Sequence, residues 1–494
     1  MAISIDNLVM GMFEPETITL VSGAQTTIPN GFVSAPMETN PVPDKPFMDR
    51  DTIEQIGLPD FLDTLTSILG SKDYVPNFIY TTPGGSVDVG DGTPPILTFS
   101  DTINAAIGGW GINYLEATSA KADHMGRKRG IQLNQRTLPY HKKLVETHRH
   151  YAAVSDQKLM IQLTHAGWCA QQPLTFRDVF GRGANPPTRT QINQVLDDIT
   201  SSGYLAVDAG YDGVDIKLCH GYGLADWALH LVRGATNYQE AQEKLAPIIN
   251  VFQNIRNYAV SNGRPEFMVG FRFSFFEGVQ NGWGARFNPD FNGSIGYSND
   301  EAERQEQIDM VMEDYALSET VIMALAPFAD FYHNSNGIPA VTKGLGRGTK
   351  NDCPNSHILH WATSKQAYNV IQGAKERGLI THSPLVIASN LTTATASGEP
   401  VEGNYHILQA LGSNRRNGSG VRYGSYGRES MANTNLPNDI KNLGPDMEYK
   451  ERCARCSICS EPLIDQERAG GCVKNPVVQG IYRAHNRAKR QLAK

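Results

Sequence analysis

The chain lacks any apolar run of membrane-spanning length: stretches such as TVIMALAPFADF fall far short of the roughly 20 residues a bilayer helix needs. Its start, MAISIDNLVMGMF, has neither a basic n-region nor a small-residue cleavage site, so no secretory signal is expected. Positive charge is not in excess. With 44 Lys and Arg against 51 Asp and Glu, the formal net charge of −7 excludes a whole-protein footprint for nucleic acid. Cysteine is scarce, seven in 494 residues, which excludes a disulfide framework. No G-x-G-x-x-G follows a candidate strand, which counts against a doubly wound dinucleotide fold, and there is no internal repeat or low-complexity tract. What is present is ordinary for a globular protein with a sizeable core, 40% hydrophobic and 19% charged. The length suits about two to three average domains, or one large α/β barrel with insertions and a small appendage.

Short apolar runs recur with amphipathic stretches between them. Candidate strands lie at residues 32–36, 111–117, 159–163, 213–218, 267–273, 329–333, 385–389 and 421–423, and candidate helices at 138–153, 191–209, 238–259, 301–324 and 357–377. Strands alternating with helices imply parallel pairing through crossovers, and eight units predict a (β/α)8 barrel. Roughly 70 residues rich in Pro and Gly separate the first two strands, predicting a long insertion at about 41–100. Residues 397–419 read as polar and irregular. The expected division is a barrel over 1–445 and a C-terminal segment over 446–494.

That segment holds the few cysteines that matter. Cys453, Cys456, Cys459 and Cys472 have the spacing C-x2-C-x2-C-x12-C. Structural zinc more often uses two separated C-x2-C pairs, whereas three thiols three residues apart with a distant fourth suit an iron–sulfur cluster. Zinc and unligated thiols remain as alternatives. A cluster implies single-electron traffic and assembly under reducing conditions, hence an expected cytoplasmic location. The tail, 479–494, carries Arg483, Arg487, Lys489, Arg490 and Lys494 around Ile481, Ala484, Ala488 and Leu492. It reads as a solvated helix packed on the barrel, with a docking surface for an acidic electron-transfer partner as the alternative.

In a barrel, chemistry collects at the C-terminal ends of strands. Thr164-His165-Ala166-Gly167 follows LMIQL, and Lys217, His220, Gly221 and Tyr222 follow GVDI. Lys217 and His220 can donate hydrogen bonds to a carbonyl or carboxylate oxygen, and Tyr222 can pass on a proton. The bland readings are a satisfied core histidine and a solvated lysine. Arg272 interrupts the apolar run FMVGFRFSFF, where a cation is costly without a partner. A flavin, whose reduced pyrimidine ring is negative at N1–O2, would supply one; a buried carboxylate is the competing partner. Gly424-Ser425-Tyr426-Gly427-Arg428 could bring backbone N–H groups and a cation to a phosphate.

Taken in order, MFEPETI, FVSAPMETN, MIQLTHAG, AGYDGVDIKLCHGYG, MVGFRFS, YGRES and the cysteine segment resemble the Old Yellow Enzyme family of FMN barrels. More narrowly they resemble its iron–sulfur branch, which includes trimethylamine dehydrogenase and 2,4-dienoyl-CoA reductase. The resemblance spans nearly the whole chain, leaving the insertion unmatched. It implies FMN and a 4Fe-4S cluster as cofactors. Ala35, Pro36, Met37 and Ala117 would lie against the flavin, Gln162 would bond its pyrimidine edge, and Arg272 would sit by N1–O2. Gly427 and Arg428 would hold the phosphate, and the four cysteines would ligate the cluster. Lys217 and His220 take the substrate-binding positions, Tyr222 that of the proton donor, and His165 looks structural.

The departures are informative. Lys217 stands where many relatives have His, favouring a carboxylate or strongly polarised carbonyl. Glu38 replaces Thr or Cys near the flavin, Trp168 would narrow the pocket, and Ser389-Asn390 replaces a glycine-rich phosphate turn. The FAD and NAD domains of the iron–sulfur relatives are expected to be lacking, so a separate electron partner, such as an electron-transfer flavoprotein, ferredoxin or reductase, is implied. The resemblance implies reduction of an activated C=C by this flavin enzyme, with electrons supplied through the cluster. An amine or C–H dehydrogenase running outward, or a non-catalytic electron-transfer subunit, are the alternatives. A homo-oligomer or subunit of a complex is expected, with no nucleic acid and no membrane span.

Overall fold

The computed structural model describes residues 7–36, 92, 94, 96–126, 130–178, 183–278, 283, 316–338, 356–389, 391, 402–443 and 453. Eight parallel strands close a barrel: β3 (Phe32–Val33), β4 (Ile112–Ser119), β5 (Lys158–Thr164), β6 (Gly213–Leu218), β7 (Met268–Phe276), β8 (Phe331–Asn336), β9 (Leu385–Ala388) and β10 (Tyr423–Ser425), with β10 returning to β3. Crossover helices ring it, including Leu138–Tyr151, Arg189–Ala209, Ala246–Ser261 and Ser356–Glu376. The fold is therefore the (β/α)8 barrel that the alternating pattern predicts. Of the insertion expected at 41–100, residues 41–91, 93 and 95 lie outside the described residues, and the helix Ile96–Ile107 leads from it to β4.

Strand periodicity sorts the side chains. Leu159, Ile161, Leu163, Val214, Ile216, Leu218, Val269, Phe271 and Phe273 face outward into one large apolar layer beneath the helices. Their neighbours face inward. Val33, Ile112, Met160, Met268, Phe331, Leu385, Ile387 and Tyr423 fill the N-terminal half of the barrel interior. A hairpin missed by the strand pattern, β1 (Glu16–Thr19) with β2 (Gln25–Ile28), plugs this end through Leu20 and Ile28. Both faces of each strand are thus buried, which is why these strands read as near-continuous apolar runs.

Residues 402–417 correct the irregular reading of 397–419: they form a helix, Glu402–Asn417. Its polar residues obscure a buried stripe of Ile407, Leu408 and Leu411. Arg415 of this helix donates to Glu14 O (2.7 Å), Glu16 Oε2 (3.0 Å) and Ile28 O (2.9 Å), clamping the hairpin in place. A Cβ on Gly412 would lie 1.9 Å from Leu8 O, so only glycine lets the N-terminal turn approach this helix. The stretch 238–259 is two helices, Tyr238–Lys244 and Ala246–Ser261, because Pro247 begins a new first turn instead of continuing the old one. Among the described residues no helix is long and apolar enough to cross a membrane.

Candidate active site

Above the apolar floor the barrel interior changes character. Register sets Ala117 opposite Gln162, Gln162 opposite Asp215, Lys217 opposite Arg272, and Arg272 opposite His333. A bulge in β4 between Leu115 and Ala117 returns Ala117 to the side of Gln162 while Glu116 bonds outward to Thr98 (3.2 Å). Four strands thereby bring an amide, a carboxylate, two cations and an imidazole into one buried layer.

Arg272 is 8% exposed, and its Nε has no hydrogen-bond partner among the described residues. Among the described residues the salt bridges of buried arginines run from Arg177, Arg256 and Arg415, not from Arg272. Gln162 is fully buried, and its Nε2 donates to Asp215 Oδ2 at 3.0 Å. The amide carbonyl Oε1 of Gln162 has no partner among the described residues. His333 Nδ1 stands 3.8 Å from the same Asp215 oxygen. Burial is the main reason His333 is pushed down to about 4, with Arg272 adding to the fall and Asp215 opposing it.

Lys217 is 4% exposed, and its ammonium lies 3.7 Å from the centre of the Tyr222 ring, a close cation–π contact. Tyr222 immediately precedes the helix Gly223–Val232, and its ring stands 6.4 Å from that of Trp168. The intervening turn is held from several sides. His220 has φ of +62°, a left-handed conformation unusual for a residue with a Cβ. Its N–H donates to Ser274 Oγ (2.8 Å), and Gly221 N–H donates to Glu277 Oε1 (2.8 Å). Arg177 then ties Glu277 (2.8 Å) to Asp226 (2.6 Å) of the following helix. Backbone strain at such a turn persists because the surroundings over-determine it.

The geometry divides the expected roles of Lys217 and His220. His220 Nδ1 lies 2.7 Å from Gly337 O, a carbonyl that can only accept, so Nδ1 carries the proton. In the neutral ring Nε2 is then the acceptor, 3.1 Å from the Ser335 hydroxyl. Burial, then the charges of Arg272 and Lys217, push the pKa of His220 well below the usual imidazole value. Lys217 thus remains the donor of the pair. His165 is structural, as expected. It is pushed down to about 3, by burial first and then by His124. Its Nδ1 accepts from Gly167 N–H (3.0 Å) and its carbonyl from Gly223 N–H (3.0 Å). A Cβ on Gly223 would come 2.7 Å from His165 Nδ1, so the close approach requires glycine there.

Ala35 and Pro36 are buried beyond β3, and Ala117, set beside Gln162 by register, is 9% exposed. Ser425, at the end of β10, has a buried hydroxyl without a partner among the described residues. Gly427 and Arg428 begin the short helix Gly427–Ala432 just beyond it. Cys453 packs against Met431 and Ala432 of that helix, with its N–H 3.5 Å from Glu429 Oε1. A cavity of about 60 Å³ runs from Met431 to Ala35 and Tyr114. The first cysteine of the C-x2-C-x2-C-x12-C pattern therefore sits against the helix that follows the last strand. Met37, Glu38, Asn390, Cys456, Cys459, Cys472 and the basic tail lie outside the described residues.

Asp215 and His333 were not among the expected site residues. The signal was present, since Asp215 interrupts an apolar strand just as Arg272 does, and His333 closes one. These residues fit FMN: a buried cation and an unpaired amide carbonyl would meet the pyrimidine ring, and small side chains would leave room for a flat ring. The described part of the cysteine pattern supplies one thiol of four.

Comparison with known proteins agrees with the barrel fold. No family model matches the chain. NADPH dehydrogenase of Listeria monocytogenes serotype 4b is 32% identical over 147 residues, 28% of this chain and 42% of the relative. The chain thus matches less than half the length of such curated relatives. Histamine dehydrogenase from Rhizobium sp. 4-9 superposes with a TM-score of 0.57 at 15% identity, covering 95% of this chain and 53% of that one. A 2-naphthoyl-CoA reductase superposes with a TM-score of 0.58 at 13% identity, covering 97% and 58%. The old yellow enzyme from Trypanosoma cruzi gives 0.50 at 13% identity, covering 89% and 94%. The barrel is the fold these enzymes share.

Proposed function

We propose that the barrel mouth binds FMN and that the protein is a flavin-dependent oxidoreductase reducing an activated C=C, an α,β-unsaturated carbonyl or carboxylate. The single observation that carries this reading is Arg272, a buried guanidinium in an apolar strand without a carboxylate partner among the described residues. Beside it, Gln162 offers a buried carbonyl acceptor, and Ala35, Pro36, Met37 and Ala117 would form the wall against the ring. Gly427, Arg428 and the Ser425 hydroxyl would receive the phosphate. When bound, FMN supplies the hydride that reaches the β-carbon of the substrate.

The chain's own groups account for the rest. Lys217 donates to the substrate oxygen, where negative charge grows as the double bond is reduced. Such a donor aimed at developing charge lowers a barrier by a few kcal/mol, by analogy with removal of an oxyanion-hole donor, worth about 2.7–4 kcal/mol. His220, anchored to Gly337 and Ser335, holds the turn that aims Lys217 and Tyr222. Tyr222 protonates the α-carbon, and Trp168 limits the width of the substrate. Lys217 disfavours a cationic amine as substrate, because two positive charges would meet in a buried site. Cys453, Cys456, Cys459 and Cys472 are proposed to hold a 4Fe-4S cluster through which a separate protein delivers single electrons. The place of Cys453 against the helix that follows β10 supports a cluster near the mouth.

Anaerobic preparation followed by iron, sulfide and flavin analysis tests the cofactors. Photoreduced protein mixed with enones, enoates and amines then tests the reaction. Reoxidation of the flavin band by enones or enoates is expected. A colourless protein holding zinc overturns the cofactor assignment, and flavin reduction by amines alone transfers the assignment to an outward-running dehydrogenase.

A further inference from the structure

We infer that Asp215 is a positioning residue that fixes which face of the Gln162 amide meets the flavin; this rests on the proposal that FMN occupies the barrel mouth. The 3.0 Å contact has Gln162 Nε2 donating to Asp215 Oδ2, so the nitrogen of the amide faces Asp215. The amide is fully buried and its other end, Oε1, has no partner among the described residues. Gln162 therefore presents its ligand with a free carbonyl acceptor, its nitrogen being held on the side of Asp215. The imide N3–H of an isoalloxazine is a donor flanked by carbonyls, so an amide held with its oxygen outward is complementary to N3–H. Without Asp215 the amide is free to turn, and its NH2 would face N3–H donor to donor.

The surroundings favour this role over a charge partner for His333. His333 Nδ1 is 3.8 Å from Asp215 Oδ2, beyond hydrogen-bond distance, while the Gln162 contact is within it. Asp215 is itself fully buried, lying between Gln162 on β5 and Gly270 on β7, where register gives it no cation directly opposite.

The test is FMN titration of the apo-protein, followed by absorbance, on the wild type, Asp215→Leu, Asp215→Asn, Gln162→Leu and the Asp215→Leu/Gln162→Leu double variant. Asp215→Leu is expected to weaken binding about 10-fold, the scale of one buried hydrogen bond left unmade. Asp215→Asn keeps a carbonyl acceptor for Gln162 Nε2 and should bind within about 3-fold of wild type. In the Gln162→Leu background, Asp215→Leu should add nothing, because Asp215 acts through the amide. A second readout uses FMN labelled with 15N at N3: its proton resonance should move downfield on binding to wild type and Asp215→Asn, and not on binding to Gln162→Leu. Additive losses in the double variant, or equal losses for Asn and Leu, overturn the assignment; the Asn variant and the N3 resonance decide it should Asp215→Leu fail to fold. Wild-type protein that binds no FMN overturns the functional reading itself, a different result from tight binding that ignores residue 215.

Discussion

The two halves of one barrel interior are built on opposite principles. Toward the N-terminal ends of the strands, Val33, Ile112, Met160, Met268, Phe331, Leu385 and Ile387 interdigitate above the Leu20 and Ile28 plug. Polar groups at its base are partnered: the Tyr423 hydroxyl meets Glu16 Oε2 at 2.8 Å, and Arg415 clamps the hairpin. A few residues along the same strands, Gln162, Asp215, Arg272 and His333 are equally buried yet retain nitrogen or oxygen atoms without partners among the described residues. Leaving a buried polar group unmade costs about 1–3 kcal/mol, more when it is charged. The first half is what folding needs. The second is what folding tolerates where, as we propose, a polar ligand is met.

Acid should have the largest effect expected, acting through His333 in the polar half and through buried histidines outside it, two of them on the helix Leu138–Tyr151. His141 and His333 are pushed down to about 4, and His148 and His165 to about 3, in each case chiefly by burial. Their native values lie below the unfolded value of 6.5, so below pH 6.5 the unfolded chain binds more protons than the native one. Stability contributed by these neutral rings is therefore full above pH 6.5 and is lost as pH falls. Each costs roughly 2 kcal/mol by pH 5, roughly 8 kcal/mol together, comparable to the whole stability of a typical domain. Urea midpoints measured at pH 7.5 and pH 5 should differ accordingly; equal midpoints would contradict neutral burial of these rings. Next in size is the floor. Phe331→Ala, at a position 2% exposed, should cost about 3–5 kcal/mol in chemical unfolding while leaving FMN affinity almost unchanged.

Much of this contrast was legible in the chain. Eight apolar runs of strand length alternating with amphipathic stretches carried the barrel, and β6 occupies the residues expected for it because Gly213 and the Cys219-His220 turn bound it sharply. The β1–β2 hairpin was not legible, since ETIT and QTTI are too polar to announce a strand that covers a barrel floor. The helix Glu402–Asn417 was hidden for a related reason: three buried apolar residues anchor it among polar ones, and the ion pairs of Arg415 supply the rest. At the site, Lys217, His220 and Tyr222 are one turn of chain and could be read together. Arg272 could be suspected alone, but its adjacency to Lys217 and His333 is a product of sheet register. The bonding of His220 to Gly337 and Ser335 is tertiary and leaves no trace in residue spacing.

The mouth can be probed more finely. Tyr222→Phe should lower the rate of enone or enoate reduction by about 10²–10⁴, the range for loss of a positioned proton donor, with flavin binding retained. Rapid mixing of photoreduced protein with substrate measures it, and undiminished turnover would remove Tyr222 from proton transfer.

The smallest effect is the most diagnostic, because it has opposite signs in the two forms of the protein. Arg272→Met replaces a buried guanidinium by an apolar side chain of similar reach. In the apo-protein Arg272 Nε has no partner among the described residues, so removing the charge relieves a desolvation cost. The apo-variant should be more stable than wild type, by about 1–3 kcal/mol in urea unfolding. With FMN the order should reverse. The variant loses the cation facing N1–O2, so flavin affinity should fall by about 100-fold, and the stability that saturating FMN adds should shrink in proportion. A residue kept for packing or for a protein carboxylate would destabilise both forms on substitution. Gain in the apo form with loss in the flavin-bound form is the signature of a group that the fold holds in readiness for its ligand.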